Sequence, residues 1–195
     1  MLWTLPNILT WIRIAAIPLI IVLFYMPYHW SDPAAGLLFA AAGITDSLDG
    51  YLARRLGQTS RLGAFLDPVA DKLVVAVALV LLLSKPVPQM LTLSPEWARR
   101  LLALTAIVII GREIAISALR EWMAEIGARR KVAVSQLGKH KTILQIVGLS
   151  MMLYQWDLFG LPTYSLGMVL TIAAAVLTLW SMVIYLRAAW PELRQ

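Results

Sequence analysis

The feature that most constrains this chain is a series of six apolar stretches, each about as long as a membrane-spanning helix. They lie near residues 7–27, 34–55, 63–84, 99–126, 137–156 and 163–189, and short segments rich in Pro, Gly or polar residues separate them. A spanning helix needs about 20 mostly apolar residues. Because the six stretches occupy most of the 195 residues, we expect an all-α integral membrane bundle of six transmembrane helices, forming a single domain over residues 1–195.

Composition excludes several other classes of protein. The chain is 60% apolar and only 14% charged, which leaves too little polar side chain to cover a water-facing surface. It has no cysteine, so disulfide frameworks, cysteine-ligated metals and cysteine nucleophiles are excluded. The net charge of +6 fits contact with anionic membrane lipids, and so thin a polar surface argues against a nucleic acid partner.

The basic residues predict an orientation. If both termini lie on one side, three basic residues fall on the opposite side, Lys85, Arg99 and Arg100. Ten fall on the side of the termini: Arg54, Arg55, Arg61, Arg129, Arg130, Lys131, Lys139, Lys141, Arg187 and Arg194. Because basic residues are enriched in cytoplasmic loops, we expect both termini to be cytoplasmic.

Several charged residues remain within the spans or at their ends. They are Arg13, Lys72, Arg112, Arg120, Asp46, Asp49, Asp67, Asp71, Glu113 and Glu121. A charge at membrane depth costs roughly 2.5–3.5 kcal/mol even on lenient insertion scales, so such residues need partners or a water-filled cavity. They are therefore the first candidates for a functional site.

The four aspartates form two helix-spaced pairs on either side of one short loop. Asp46 and Asp49 are three residues apart near the end of the second span, and Asp67 and Asp71 are four apart near the start of the third. Each pair shares one helix face. Four carboxylates at one depth match two hard divalent ions such as Mg²⁺ or Mn²⁺, which act together in displacements at phosphorus. A salt-bridged polar seam and a divalent-cation transporter remain open as alternatives.

A second group of basic residues lies on the fourth and fifth spans. It contains Arg112, Arg120, Lys139 and Lys141. Converging Arg and Lys side chains beside the aspartates would hold an anionic co-substrate such as a phosphomonoester. The residues alone equally allow local pairs between Arg112 and Glu113 and between Arg120 and Glu121. In the first span, Asn7, Thr10 and Arg13 could be no more than the polar start of a helix.

The segment from Asp46 to Asp71 reads DSLDGYLARRLGQTSRLGAFLDPVAD. It resembles the signature of the CDP-alcohol phosphatidyltransferase family, D-x-x-D-G-x-x-A-R-x8-G-x3-D-x3-D, with no position missing. The resemblance implies a six-helix membrane enzyme, usually a homodimer, with a two-metal site open to the cytoplasmic leaflet. Such enzymes transfer a phosphatidyl or similar group from a CDP-linked donor to an alcohol and release CMP.

The resemblance also assigns roles to residues by their position in the signature. The expected ligands of two Mg²⁺ or Mn²⁺ ions per active site are Asp46, Asp49, Asp67 and Asp71. Asp71 is in addition the candidate base for the acceptor hydroxyl. Contacts to the CDP donor are expected from Asn7, Thr10, Asp49, Gly50, Ala53, Arg54 and Arg61.

Three further stretches narrow the acceptor. LPNILTWIR (5–13), GREIAISALREWMAE (111–125) and VAVSQLGKHKTILQ (132–145) are similar to bacterial members of this family that use CDP-diacylglycerol and glycerol 3-phosphate. This likeness implies a place in the bacterial inner membrane. Together with the basic group on the fourth and fifth spans, it leads us to expect that the acceptor phosphate contacts Arg112, Arg120, Lys139 and Lys141. Another acceptor, of the cardiolipin or phosphoinositol type, remains an alternative within the family.

Overall fold

A computed structural model of the chain describes the backbone of residues 5–56, 61–88, 90, 93–128 and 136–194. Side chains are described for the same residues except 5–6, 46–56, 61–62, 64, 136–139 and 193. Within this part the chain forms six α-helices and no β-strand. The helices are α1 (Leu5–Tyr25), α2 (Ser31–Leu56), α3 (Arg61–Ser84), α4 (Pro95–Glu125), α5 (Gln136–Tyr154) and α6 (Thr163–Leu193).

The predicted all-α membrane bundle is confirmed, with six helices close to the predicted positions. Three stretches within the described residues are long and apolar enough to cross a membrane: Asn7–Tyr25, Pro95–Glu125 and Thr163–Glu192. Helix α3 is not among these three stretches, and it carries Asp67, Asp71 and Lys72 in its first half. The charges that lower its apolar character are the same ones that the sequence marks as functional candidates.

The ends of two helices differ from the prediction, and a proline lies near each of them. Helix α4 begins at Pro95 rather than near residue 99, because proline fits the first turn of a helix, where its missing N–H has no helical partner. Helix α6 continues through Pro191 to Leu193. Helix α4 is followed by Gly127, whose φ of +75° is a left-handed conformation that glycine adopts readily.

Helix α1 presents one buried stripe that changes from polar to apolar along its length. Its buried residues recur every three or four positions, as helix geometry requires: Asn7, Thr10, Arg13, Ala16, Ile20 and Phe24. The helix packs against α2 and α3. The apolar half of the stripe joins the main core, and the polar half brings a buried arginine to the first half of α3.

Helices α5 and α6 cross at very short range through two glycines. A Cβ added at Gly148 would lie 2.7 Å from the carbonyl oxygen of Gly167, and one added at Gly167 would lie 2.6 Å from that of Gly148. Helix α2 approaches α5 in the same way, since a Cβ at Gly36 would lie 2.6 Å from the backbone nitrogen of Tyr154. These close approaches fix α5 between α2 and α6.

Candidate active site

A cavity of about 430 Å³ opens between helices α1 to α5. Most of its wall is apolar, with residues such as Phe39 and Ile109. Its polar lining consists of Arg13, Asp71, Lys72, Glu113, Lys141, Thr142 and Gln145. An apolar pocket with a few converging polar groups is the usual form of a small-molecule site. Five helices contribute to it. Four of the charged residues at membrane depth line it, namely Arg13, Asp71, Lys72 and Glu113.

On one side of the cavity, helix α1 contacts both described aspartates of α3. The Thr10 hydroxyl donates a hydrogen bond to Asp67, and the Arg13 guanidinium forms an ion pair with Asp71. The side chain of Arg13 is 1% exposed and that of Asp71 is 42% exposed. The arginine is therefore a fixed, buried member of the pair, and the carboxylate is accessible from the cavity.

Asp67 and Asp71 fit the chemistry of a hard divalent cation. They lie one helical turn apart, so their carboxylates share a face of α3. Both are partly exposed, and carboxylate oxygens are the ligands that Mg²⁺ and Mn²⁺ prefer. Among the described residues, no three acidic or histidine side chains lie close enough together to hold a metal ion by themselves. The other predicted ligands, Asp46 and Asp49, have side chains outside that part.

On the opposite side, helices α4, α5 and α6 gather the basic residues. Arg112 donates through Nη1 to Glu113 Oε2 at 2.7 Å and through Nη2 to Ser181 Oγ at 3.1 Å. Lys141 Nζ lies 3.6 Å from the same Glu113 oxygen. Arg112 and Lys141 are both buried. Lys141 and Glu113 line the cavity, and Arg112 lies behind Glu113 rather than in the wall. The structure thus brings together two residues of the predicted phosphate-binding group, with a carboxylate between them.

Arg120 belongs to a different environment. Its Nη2 donates to the Tyr185 hydroxyl at 3.0 Å, and its guanidinium carbon lies 5.1 Å from the centre of the Tyr185 ring. Tyr185 is part of a small apolar cluster of α4 and α6, and Arg120 does not line the cavity. Its predicted contact with an acceptor phosphate stays a prediction that this arrangement does not support.

Several predicted site residues have side chains outside the described part of the chain. They are Asp46, Asp49, Gly50, Ala53, Arg54, Arg61 and Lys139. Two others are described: Asn7 and Thr10 are 3% and 1% exposed on the polar stripe of α1. Thr10 donates to the signature aspartate Asp67, and the predicted contact of Asn7 and Thr10 with the CDP donor stays a prediction.

Sequence reasoning gave no role to three residues of the cavity wall. Arg13 follows Asn7 and Thr10 at spacings of three, a signal that all three share one helix face. Glu113 stands among the charges at membrane depth, but its position between two cations depends on how α4 meets α5. Gln145 is buried at 8% exposure and lies one turn after Lys141, so its helix spacing from that lysine was the available signal.

Comparison with known proteins gives one consistent result. Residues 3–180 match the family model of the CDP-alcohol phosphatidyltransferases. A CDP-diacylglycerol–glycerol-3-phosphate 3-phosphatidyltransferase of Pseudomonas fluorescens is 50% identical over 191 residues, which are 97% of this chain and 92% of that protein. A protein of the same name from Escherichia coli is 46% identical over 193 residues, 99% of this chain and 98% of that protein. The chain therefore belongs to the CDP-alcohol phosphatidyltransferase family.

Proposed function

We propose that this chain transfers a phosphatidyl group from CDP-diacylglycerol to glycerol 3-phosphate, forming phosphatidylglycerophosphate and CMP in phospholipid biosynthesis. The observation that carries the assignment is 46–50% identity, over nearly the whole chain, to enzymes that are named for this reaction. The complete signature from Asp46 to Asp71 supports the donor half of the reaction. The buried Arg112 and Lys141 support a phosphorylated acceptor.

Members of this family generally depend on a divalent metal. We assign two Mg²⁺ or Mn²⁺ ions to Asp46, Asp49, Asp67 and Asp71. When bound, such ions stabilise negative charge on the phosphoryl oxygens and on the leaving group. Two contacts from α1 support the carboxylates on α3. Thr10 donates a hydrogen bond to Asp67, and Arg13 forms an ion pair with Asp71.

The protein's own residues account for the proton and for the attack. The carboxylate of Asp71 accepts the proton of the acceptor hydroxyl, and the hydroxyl oxygen attacks the phosphorus that carries diacylglycerol. A new oxygen–phosphorus bond forms, and the bond from that phosphorus to the oxygen of CMP breaks. Because Arg13 is buried beneath Asp71, it keeps the carboxylate aimed into the cavity. No covalent enzyme intermediate is needed.

The two substrates approach from different sides of the cavity in this mechanism. The CDP part of the donor is assigned to predicted contacts on α1, α2 and the start of α3, namely Asn7, Thr10, Asp49, Gly50, Ala53, Arg54 and Arg61. We assign the acceptor phosphate to Arg112 and Lys141, while contacts of Lys139 and Arg120 with it remain sequence-based predictions. The apolar wall excludes water from the reacting phosphorus, which limits hydrolysis of the donor.

The apolar helices and the bacterial relatives identify a bacterial membrane protein. We place it in the inner membrane with six spans, both termini and the active site on the cytoplasmic side. The excess of basic residues on that side supports this orientation. The homodimer common in the family is part of the same proposal.

A CMP-release assay with a panel of acceptors tests the assignment. Purified protein, CDP-diacylglycerol and Mg²⁺ or Mn²⁺ are incubated with glycerol 3-phosphate, glycerol, serine, inositol phosphate or phosphatidylglycerol. We expect release with glycerol 3-phosphate at least tenfold above the other acceptors. Equal release with serine or inositol phosphate would overturn the acceptor assignment. Metal flux into proteoliposomes without CMP release would instead support the cation-transporter alternative.

A further inference from the structure

The carboxylate of Glu113 lies between two buried cations that come from different helices. Its Oε2 atom is 2.7 Å from Arg112 Nη1 on α4 and 3.6 Å from Lys141 Nζ on α5. The Arg112 and Lys141 side chains are 6% and 10% exposed, whereas that of Glu113 is 40% exposed and lines the cavity. The carboxylate is thus the accessible member of this three-residue cluster, which we call the Glu113 cluster.

Arg112 has a second support besides Glu113. The Ser181 hydroxyl on α6 accepts a hydrogen bond from Arg112 Nη2 at 3.1 Å and donates one to the Thr178 carbonyl at 2.9 Å. Among the described residues, Arg112 Nε has no hydrogen-bond partner. The hydrogen bond to Ser181 can hold the guanidinium in place if Glu113 moves away, and Nη1, which now donates to Glu113, is then able to donate to an acceptor oxygen.

A phosphomonoester is chemically suited to replace this carboxylate. Buried cations need a counter-charge, so the cluster is stable only with an anion between Arg112 and Lys141. A phosphate monoester carries about −1.5 to −2 charge at neutral pH and three strong acceptor oxygens, whereas a carboxylate carries one negative charge. Arginine also binds phosphate through two parallel hydrogen bonds.

We propose that Glu113 is an internal counter-ion that fills the acceptor-phosphate subsite and exchanges with the phosphate of the acceptor. The inference rests on the proposed function, because it concerns the acceptor of that reaction. Glu113 then competes with every anion for the subsite. The measured affinity for the acceptor is lower than the intrinsic affinity, in proportion to the fraction of molecules in which Glu113 has left the subsite. Its return after transfer also helps to expel the phosphate that the product retains.

Replacing Glu113 by glutamine tests the competition directly. Glu113→Gln keeps the shape of the side chain and removes its charge. We expect the KM for glycerol 3-phosphate and the inhibition constant of inorganic phosphate each to fall by about five- to tenfold. The KM for CDP-diacylglycerol should change by less than about twofold. The matched control is Glu125→Gln, an exposed position at the end of α4, which should leave all three constants unchanged.

A second measurement detects phosphate binding and also shows whether the variant is less stable than the wild type. Thermal unfolding of the purified protein is followed with and without inorganic phosphate, and phosphate should stabilise Glu113→Gln more than the wild type. If that variant does not fold, Glu113→Asp replaces it. The shorter side chain keeps the charge but is drawn away from Lys141, so a smaller fall in KM is expected.

An unchanged or raised KM for glycerol 3-phosphate in a folded variant would overturn the inference, since it would make Glu113 a bystander or a direct substrate ligand. Failure of the proposed function is distinguishable, because the wild type would then release no CMP with glycerol 3-phosphate. The phosphate-dependent unfolding would still test Glu113 in that case.

Discussion

The α1–α3 side and the α4–α5 side of the cavity each contain an ion pair between a buried arginine and a carboxylate. They differ in whether a second carboxylate or a second cation lies beside that pair. On the α1–α3 side, two carboxylates, Asp67 and Asp71, lie one turn apart and are contacted from α1 by a hydroxyl and an arginine. On the α4–α5 side, one carboxylate, Glu113, lies between two cations. In both places the arginine is buried and its carboxylate partner is about 40% exposed.

This difference indicates how one cavity can serve two substrates of like charge. The carboxylate pair of Asp67 and Asp71 on α3 suits divalent cations and a proton acceptor. A surplus of buried cations on α4 and α5 suits a phosphate. In the proposed mechanism the two buried arginines act differently: Arg13 orients the carboxylate of Asp71, and Arg112 itself binds the acceptor phosphate.

The largest expected effect comes from removing the charge of Asp71. Asp71→Asn should lower the rate of CMP release by about 10³-fold or more, because the acceptor hydroxyl loses its base. Thermal unfolding should show that the variant still folds. The control is Asp157→Asn in the exposed turn between α5 and α6, which should remain fully active. An Asp71→Asn protein with activity within a few-fold of the wild type would contradict the role of the α3 side.

The next effect comes from the buried arginine of the same side. Arg13→Met removes the support of Asp71 and should lower kcat by about 10²-fold, since small misplacements of reacting groups cost that much. The KM for glycerol 3-phosphate should change by less than about threefold, and Arg13→Lys should recover part of kcat. A rise in that KM without loss of kcat would place Arg13 on the acceptor side and break the comparison.

A smaller effect is expected on the acceptor side. Arg112→Ala and Lys141→Ala should each raise the KM for glycerol 3-phosphate by about ten- to a hundredfold, because each removes a charged partner of the phosphate. The KM for CDP-diacylglycerol should stay within about twofold, which steady-state kinetics at saturating acceptor can establish. An effect confined to the donor would assign these residues to the other substrate.

Much of this architecture could be predicted from the sequence, because it depends on local patterns. The length of the apolar stretches gives six helices, and the spacing of Asp67 and Asp71 places both on one face. The contacts across helices could not be predicted in the same way. Arg13 meets Asp71 across 58 positions and Arg112 meets Ser181 across 69, so these pairs depend on which helix faces pack together. No periodicity within a single helix contains that information.

The smallest effect concerns the packing of α5 against α6, next to the acceptor side of the cavity. Gly148→Ala should lower the free energy of unfolding by about 1–3 kcal/mol, because its Cβ would overlap the backbone of α6 at Gly167. Gly111→Ala on α4 is the control, since a Cβ there meets nothing within 4 Å, and it should be neutral or slightly stabilising. Unfolding in detergent measures both. Equal stability of the two variants would show that the α5–α6 crossing is looser than the structure indicates.

The central claim is that one cavity joins the CDP-linked lipid to glycerol 3-phosphate. Its most direct test is to reconstitute the purified protein in vesicles with CDP-diacylglycerol and isotopically labelled glycerol 3-phosphate, and to analyse the lipids by mass spectrometry. The account predicts labelled phosphatidylglycerophosphate in amounts equal to the CMP released, and only when a divalent ion is present. Release of CMP without labelled lipid, or transfer of the label without a divalent ion, would contradict it.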